Sequence, residues 1–178
     1  MSRRLMLLRH AKSDWSDPSL GDHDRPLAAR GLRDAPLMGA HLRRLGLMPA
    51  RALVSTAVRA RQTWELVRDA LGPAARALPV EHSAMLYAFD SPRPLLQAIR
   101  RFGEDADPLL LVGHNEAMHA LATLLAAHGD AHALKRLRAK FPTAALAVID
   151  LPLHRWADID EDARGQLLHH VRPKDLRS

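Results

Sequence analysis

Three short apolar segments in this chain of 178 residues each run directly into polar residues, and this arrangement limits the possible folds more than any other feature. The segments cover 5–8, 52–54 and 109–112, and each has the length of a β-strand rather than a helix. Longer stretches with helical spacing separate them, which is the pattern of an α/β protein with a mostly parallel sheet. Ligands of such sheets bind outside the carboxyl ends of the strands. We therefore expect the residues after the three segments to share one crevice.

Length and composition predict one globular domain over residues 1–178, with an apolar fraction of 47% and a charged fraction of 26%, both ordinary for a soluble protein. No apolar stretch approaches the roughly 18 residues of a membrane span, and the first run is too short for a secretory signal. A cytoplasmic location is expected. The chain has no cysteine, which excludes disulfides, thiolate catalysis and cysteine-ligated metal. The composition does not predict an oligomeric state.

The net charge of +6 raises the question of nucleic-acid binding. The basic residues are mostly arginine and are spread along the chain, and there are only three Phe, one Tyr and three Trp on which bases could stack. A phosphorylated small molecule or protein would benefit equally from a positive field. Such a substrate is favoured over nucleic acid.

The segment after the first strand, 12–25, is polar and predicts a loop. Apolar residues then recur at helical spacing from Leu32 to Leu45, and Gly46 suits the end of that helix. Pro36 lies inside the pattern, so it either kinks the helix or marks its true start. A second helix is predicted over 58–71.

In the middle of the chain, residues 80–82 predict a short edge strand. A third helix is expected to open at Ser91 and Pro92, with the serine as its cap and the proline at the first helical position. A fourth helix is predicted from about 116 to 127.

The C-terminal part predicts a strand over 144–151 and a terminal hairpin formed by 155–157 and 167–169. The polar tail 172–178 is expected to fray.

Arg9 and His10 follow the first strand and carry the strongest chemical signal. An imidazole can attack phosphorus directly and form a phosphohistidine that water later hydrolyses. A neighbouring guanidinium can hold two phosphoryl oxygens bidentately. Taken alone, the pair also fits a histidine at the edge of the core beside a surface arginine.

The segment 55–63 strengthens the phosphate interpretation. Ser55 closes the second strand, and Arg59 falls in the first turn of the following helix, where free N–H groups and the helix dipole favour an anion. Arg61 lies on a different face and is expected to be solvated or structural. The alternative is an ordinary helix start, which arginine tolerates well.

Gly113, His114 and Asn115 repeat the arrangement after the third strand. Glycine allows a sharp turn that delivers the histidine to the crevice. A protonated His114 could bind a phosphoryl oxygen and a neutral one could orient the nucleophile, while a buried structural histidine is the competing interpretation.

Taken together, these segments resemble the histidine phosphatase superfamily, whose members carry an Arg-His-Gly nucleophile motif, and most closely its short SixA-type phosphohistidine phosphatase branch. The matching stretches occur in the family's order and are 7–13, 24–27 with 30–31, 55–63, 111–115 and 140–144. The resemblance implies a three-layer α/β/α fold of the phosphoglycerate mutase type, without metal or cofactor.

The resemblance also implies roles for individual residues. His10 corresponds to the nucleophile, and Arg9, Arg59 and His114 correspond to the rest of the catalytic phosphate pocket. Ser55 and Asn115 are added as candidate substrate-binding residues.

The chain departs from the family pattern at two places. Ala11 replaces the glycine after the nucleophile. Larger relatives place a glutamate acid after the third strand in a Leu-x-Glu segment, where this chain has Leu86-Tyr87-Ala88. Glu81, Asp90 and Asp22 are possible substitutes for that acid. The capping insertions of larger members have no room here, so the crevice is expected to be open.

Two further residues near the first loop are ambiguous. His23 lies between two aspartates, but no second cluster with ligand spacing supports a metal, so a solvated loop is favoured. Trp15 either closes over the site or packs against a helix.

The favoured hypothesis is a phosphatase that removes a phosphoryl group from protein phosphohistidine through a covalent intermediate on His10. The alternatives are a broad phosphomonoesterase or mutase acting on a small metabolite, and a phosphate-binding interaction module without turnover. Retention of both histidines and both arginines argues against the last, because binding alone needs no nucleophile.

Overall fold

A computed structural model describes residues 1–177 and shows one seven-stranded sheet within that range. Its strands are β1 (Arg3–Arg9), β2 (Arg51–Ser55), β3 (Val80–Ser83), β4 (Leu109–Gly113), β5 (Ala126–Gly129), β6 (Leu146–Leu151) and β7 (Gly165–Val171). They lie in the order β3-β2-β4-β1-β6-β7-β5. Only the β1–β6 and β6–β7 pairs are antiparallel, so the sheet is mostly parallel, as predicted.

Six α-helices accompany the sheet in the described residues. They are α1 (Ala29–Arg44), α2 (Val58–Leu71), α3 (Arg93–Phe102), α4 (Ala117–Leu125), α5 (Ala131–Ala139) and α6 (Pro173–Leu176). None of them is long and apolar enough to cross a membrane.

Alternate residues of the central strands face two separate apolar clusters. Leu5 and Leu7 of β1 join the cluster formed with α3, α4 and α5, whereas Met6 and Leu8 join the one formed with α1 and α2. All four are fully buried. Strands covered on both faces need apolar side chains at every position, which explains the continuous runs and gives the three-layer α/β/α fold predicted from the sequence.

The ends of β1, β4 and β2 that carry the site lie side by side. Leu8 pairs with Val112 of β4, which in turn pairs with Val54 of β2. The His10 N–H donates to the Gly113 carbonyl at 3.0 Å and extends this alignment by one residue. The residues that follow the three strands therefore emerge at one edge of the sheet.

The loop after β1 is held against the first turns of α1. The Lys12 carbonyl accepts a hydrogen bond from the Ala28 N–H at 2.9 Å. A Cβ at Gly31 would lie 2.3 Å from that same carbonyl oxygen, so only glycine permits this approach. The glycine thereby fixes the loop after β1 on the helix.

The predicted N-terminal elements are largely confirmed. Residues 58–71 form α2 and 80–83 form an edge strand. Helix α1 begins at Ala29, so Pro36 lies inside the helix, and the alternative that Pro36 marks the start is wrong. Gly46 adopts a positive φ of 70° just after the helix, as a stop signal does.

Helix α3 begins one residue later than predicted. Arg93 is its first residue and Pro92 is its N-cap, while the Ser91 hydroxyl accepts from the Arg93 N–H at 3.1 Å. The fourth helix ends at Leu125, because residues 126–129 form β5 instead of continuing it.

The C-terminal elements differ most from the prediction. The expected hairpin is wrong in its first arm, because Trp156–Asp158 is a short 3-10 turn with a buried indole. Strand β7 pairs with β6 and β5 instead. The tail does not fray over its described part. It forms α6, and Arg177 pairs with buried Asp34; Ser178 lies outside the described residues.

Candidate active site

The predicted phosphate residues meet in one cavity of about 300 Å³ at the carboxyl ends of β1 and β4. Five of its lining residues were predicted as catalytic or substrate-binding residues, namely Arg9, His10, Arg59, His114 and Asn115. Their convergence follows from the alignment of the strand ends and from the start of α2 directly after β2.

The His10 imidazole is buried and held in one tautomer. Its Nδ1 lies 2.7 Å from the carbonyl oxygen of Ala11, so Nδ1 carries the hydrogen and Nε2 keeps its lone pair. Burial, followed by the positive charges of Arg59 and Arg9, lowers the pKa of His10 to about 3. The ring is therefore neutral at physiological pH, which a nucleophile requires.

The Arg59 guanidinium lies between the two imidazoles and is 4% exposed. Its Nε is 3.4 Å from Nε2 of His10, and its Nη2 is 3.3 Å from Nδ1 of His114. On its other side, Nη1 donates to the Asp22 carbonyl at 2.6 Å and Nη2 to the Asp22 carboxylate at 3.0 Å. All of its nitrogens thus have protein acceptors before any phosphoryl group enters.

His114 is held from behind by Ser55. Its Nε2 lies 2.7 Å from the Ser55 hydroxyl, and because Arg59 donates to Nδ1, Nε2 carries the hydrogen and donates to the serine. Burial, then the nearby His10 and Arg59, lower the pKa of His114 to about 2. Ser55 is completely buried and contacts the histidine rather than the cavity.

Arg9 and Asn115 share one backbone acceptor. The carbonyl oxygen of Phe141 accepts from Arg9 Nη1 at 3.2 Å and from Asn115 Nδ2 at 2.9 Å. The Phe141 ring is buried and stacks against the His170 ring at a centroid distance of 6.0 Å. The segment after α5 therefore positions two residues of the pocket, a role that no side-chain pattern indicates.

Asp22 is the one candidate acid of the three that lines the cavity. Its Oδ2 accepts from the Tyr87 hydroxyl at 2.6 Å as well as from Arg59. Burial alone would raise the pKa of Asp22, but the hydrogen bonds from Tyr87 and Arg59 outweigh it and leave the pKa below its ordinary value. Glu81 belongs to edge strand β3 and Asp90 is exposed, and neither lines the cavity.

Two aromatic side chains form an exposed rim around the cavity, which we call the aromatic rim. Trp15 is 62% exposed and Phe89 is 37% exposed, and both line the cavity. The Phe89 ring lies 4.9 Å from the His114 ring, and the Trp15 ring lies under the Arg25 guanidinium at 3.8 Å. The rim presents flat apolar surface at the edge of the cavity.

His23 hydrogen-bonds Thr56, with its Nε2 2.9 Å from the threonine hydroxyl. Among residues 1–177, no three histidine, aspartate or glutamate side chains are grouped closely enough to hold a metal ion.

Comparisons with known proteins agree with this geometry. Residues 5–87 match the family model of the histidine phosphatase superfamily, branch 1. An uncharacterised protein of Mycobacterium tuberculosis is 39% identical over 168 residues, which are 92% of this chain and 99% of the relative.

Two solved structures are similar over nearly their whole length. The protein of Agrobacterium tumefaciens assigned as the phosphohistidine phosphatase SixA is 27% identical, with a TM-score of 0.76 over 96% of this chain and 98% of that one. A protein of Nakamurella multipartitia with the same assignment is 28% identical, with a TM-score of 0.79 over 97% of each chain.

The chain belongs to the histidine phosphatase superfamily and is therefore a phosphatase-type hydrolase. Within the superfamily it belongs to the SixA-type branch.

Proposed function

We propose that this phosphatase removes the phosphoryl group from phosphohistidine on a protein, through a covalent intermediate on His10. One observation carries the proposal: within the described residues, Asp22 is the sole carboxylate lining the cavity, and Arg59 and Tyr87 keep it ionised. An alkyl phosphate needs its leaving oxygen protonated, and a general acid contributes about 10²–10⁴-fold. A phosphoimidazole has less need of an enzymatic acid.

The reaction has two displacements at phosphorus. Nε2 of His10 attacks in line, the P–N bond of the substrate breaks, and the departing imidazole, whose pKa is roughly 6.5, takes its proton from solvent. Arg9 and Arg59 stabilise the charge on the equatorial oxygens, and His114, whose Nδ1 accepts from Arg59, keeps that guanidinium oriented. Water then attacks the phosphorus on His10 and the P–Nε2 bond breaks. Inorganic phosphate leaves, a proton of the water passes to solvent, and neutral His10 is regenerated.

Two further observations support this substrate. The similar proteins of A. tumefaciens and N. multipartitia are assigned as phosphohistidine phosphatases. The aromatic rim of Trp15 and Phe89 also offers faces against which an imidazole ring can pack, and aromatic pairs favour such offset or edge contacts.

The direct test is a comparison of kcat/KM on three substrate classes. We expect phosphohistidine peptides to exceed glycerol phosphate and sugar phosphates by at least about tenfold, because those lack an activated leaving group. Activated aryl phosphates should fall between them. Equal or greater efficiency on a sugar phosphate or phosphoglycerate would overturn the proposal in favour of a phosphatase or mutase acting on metabolites.

The role of Asp22 is tested by Asp22→Asn, with Asp24→Asn as a control, since Asp24 lies nearby but does not line the cavity. An ion-paired Asp22 predicts that the ratio of kcat/KM on alkyl and aryl phosphates stays unchanged. It also predicts tighter inhibition by inorganic phosphate, because an anion that competes for Arg59 has been removed. A selective loss on alkyl phosphates would instead identify Asp22 as the proton donor.

A further inference from the structure

We propose that a second groove beside the catalytic cavity binds a carboxylate-rich segment of the phosphorylated protein. This proposal rests on the proposed function and names how the protein substrate is recognised. The groove, here called the basic groove, lies between Arg30 on α1, Pro142-Thr143 and the C-terminal residues 172–177. Nothing in the catalytic step requires it.

The basic groove adjoins the catalytic cavity. It encloses about 140 Å³, and Thr143 lines both spaces. Arg30 reaches over this shared residue, with its Nη2 3.5 Å from the threonine hydroxyl. A peptide whose phosphoryl group lies on His10 would therefore place neighbouring residues along the groove.

The charges of the basic groove are only partly compensated. Four cations line it, namely Arg30, Arg172, Lys174 and Arg177. Asp34 is 1% exposed and pairs with Arg177 at 2.5 Å and with Arg30 at 3.9 Å.

Arg172 pairs bidentately with Asp175, at 2.8 and 3.1 Å. Two acids thus face four cations, which leaves two positive charges. Lys174 is exposed and has no carboxylate within 4 Å among residues 1–177.

The chemistry of the groove favours carboxylates on a protein. Arg30, Lys174 and Arg177 are exposed, and exposed cations give selectivity and faster association rather than high affinity. No aromatic side chain lines it in the described part of the chain, so it lacks the stacking surfaces that single-stranded nucleic acids use. An enzyme with an open active site must also contact parts of a phosphoprotein other than the phosphoryl group, because those contacts distinguish one phosphoprotein from another.

The variants Lys174→Glu and Arg30→Gln test the groove. Their matched controls are Lys135→Glu and Arg33→Gln, which make the same charge changes at exposed positions outside both cavities. Phosphohistidine peptides flanked by four glutamates or by four glutamines serve as substrates.

For the glutamate peptide we expect KM to rise about threefold to tenfold in the groove variants. For the glutamine peptide and for p-nitrophenyl phosphate the change should stay below about twofold. Equal KM values for the two peptides in the unmodified protein, or equal effects of groove and control variants, would overturn the proposal.

A second measurement separates this proposal from the proposed function. Hexaglutamate, which carries no phosphate, should inhibit hydrolysis of p-nitrophenyl phosphate, and Lys174→Glu should weaken that inhibition. If phosphohistidine peptides are poor substrates while this inhibition persists, the proposed function fails and the groove stands. If the groove variants lose activity on a sugar bisphosphate instead of the glutamate peptide, the second anion is a metabolite's phosphate and the protein-segment proposal is wrong.

Discussion

The catalytic cavity and the basic groove are adjacent, yet they hold their positive charges in opposite ways. In the cavity, Arg59 is 4% exposed and each of its nitrogens already has a protein acceptor. In the groove, the Arg30 side chain is 52% exposed and Lys174 is unpaired among the described residues. Buried, fixed charges stabilise a transition state without reorganisation, whereas exposed charges mainly guide association. Substitutions in the two regions should therefore differ by orders of magnitude in effect.

The largest effect is expected for His10→Gln. Removing the proposed nucleophile should lower kcat/KM by at least about 10³-fold while the protein remains folded. Trapping the unmodified protein with labelled substrate should give an acid-labile, base-stable phosphoryl adduct at position 10. An adduct on His114 with His10 unlabelled would reverse the assignment and would show that the tautomer fixed by Ala11 does not mark the nucleophile.

Next in size is Arg59→Lys, which keeps the charge but loses the planar group that contacts His10, His114 and Asp22. We expect kcat/KM to fall about 10²-fold, because lysine cannot reproduce several directed hydrogen bonds. Arg61→Lys is the matched control, since Arg61 is exposed on the same helix, and it should change kcat/KM by less than about twofold. Similar effects of the two variants would mean that charge alone matters at the cavity.

Substitutions in the aromatic rim should have effects of intermediate size, because the rim lines the cavity but is exposed to solvent. Trp15→Ala and Phe89→Ala should lower kcat/KM about threefold to tenfold on phosphohistidine and aryl phosphates, in line with the energy of aromatic pairs. Acetyl phosphate has an activated leaving group without a ring, so its hydrolysis should be unaffected. Phe89→Tyr keeps a ring at this position and should therefore keep the preference for phosphohistidine and aryl phosphates over acetyl phosphate. Equal losses on all three substrates would indicate that the rim only shapes the cavity.

The smallest expected effect is on the pH dependence of stability, and it comes from His170, which lies outside both regions. This ring is 5% exposed, neither nitrogen has a hydrogen-bond partner among residues 1–177, and burial lowers its pKa to about 4. Below pH 6.5 His170 binds a proton in the unfolded chain but stays neutral in the folded protein. The free energy of unfolding therefore falls toward pH 4.

In the His170→Leu variant this fall should be less steep, by up to about 1.4 kcal/mol per pH unit. Urea unfolding between pH 7 and 5 measures the slope, and exposed His132→Leu should parallel the unmodified protein. Identical slopes for all three proteins would show that His170 does not titrate with folding.

The central strands and the predicted cavity residues could be read from the sequence because local signals and tertiary structure agree there. Strands buried on both faces are apolar throughout, and Arg59 is placed by a helix whose bounds, 58–71, local spacing already indicated. The contacts of Asp22 could not be predicted, since they depend on where a polar loop crosses the cavity. The acceptor for Arg9 is a backbone carbonyl, which no residue type reveals.

The C-terminal part was predicted poorly because distant pairing decides its structure. Residues 126–129 continue the alanine-rich pattern of α4 locally, but they pair in parallel with β7, and Gly129 turns at a φ of 143°. Tertiary context overrides local preference in such short segments. The tail has no apolar periodicity, yet Arg177 anchors it on buried Asp34. The ordered structure of the tail could not be predicted from its own sequence, because it depends on this contact with Asp34.

The acceptor that holds Arg9 and Asn115 belongs to the main chain at Phe141. A side-chain acceptor would vanish with a single codon change, but a carbonyl oxygen is present whichever amino acid occupies the position. A substitution at position 141 therefore changes the orientation of Arg9 and Asn115 only if it also moves the backbone. Insertions or deletions between α5 and β6 should consequently be rarer among active relatives than substitutions there.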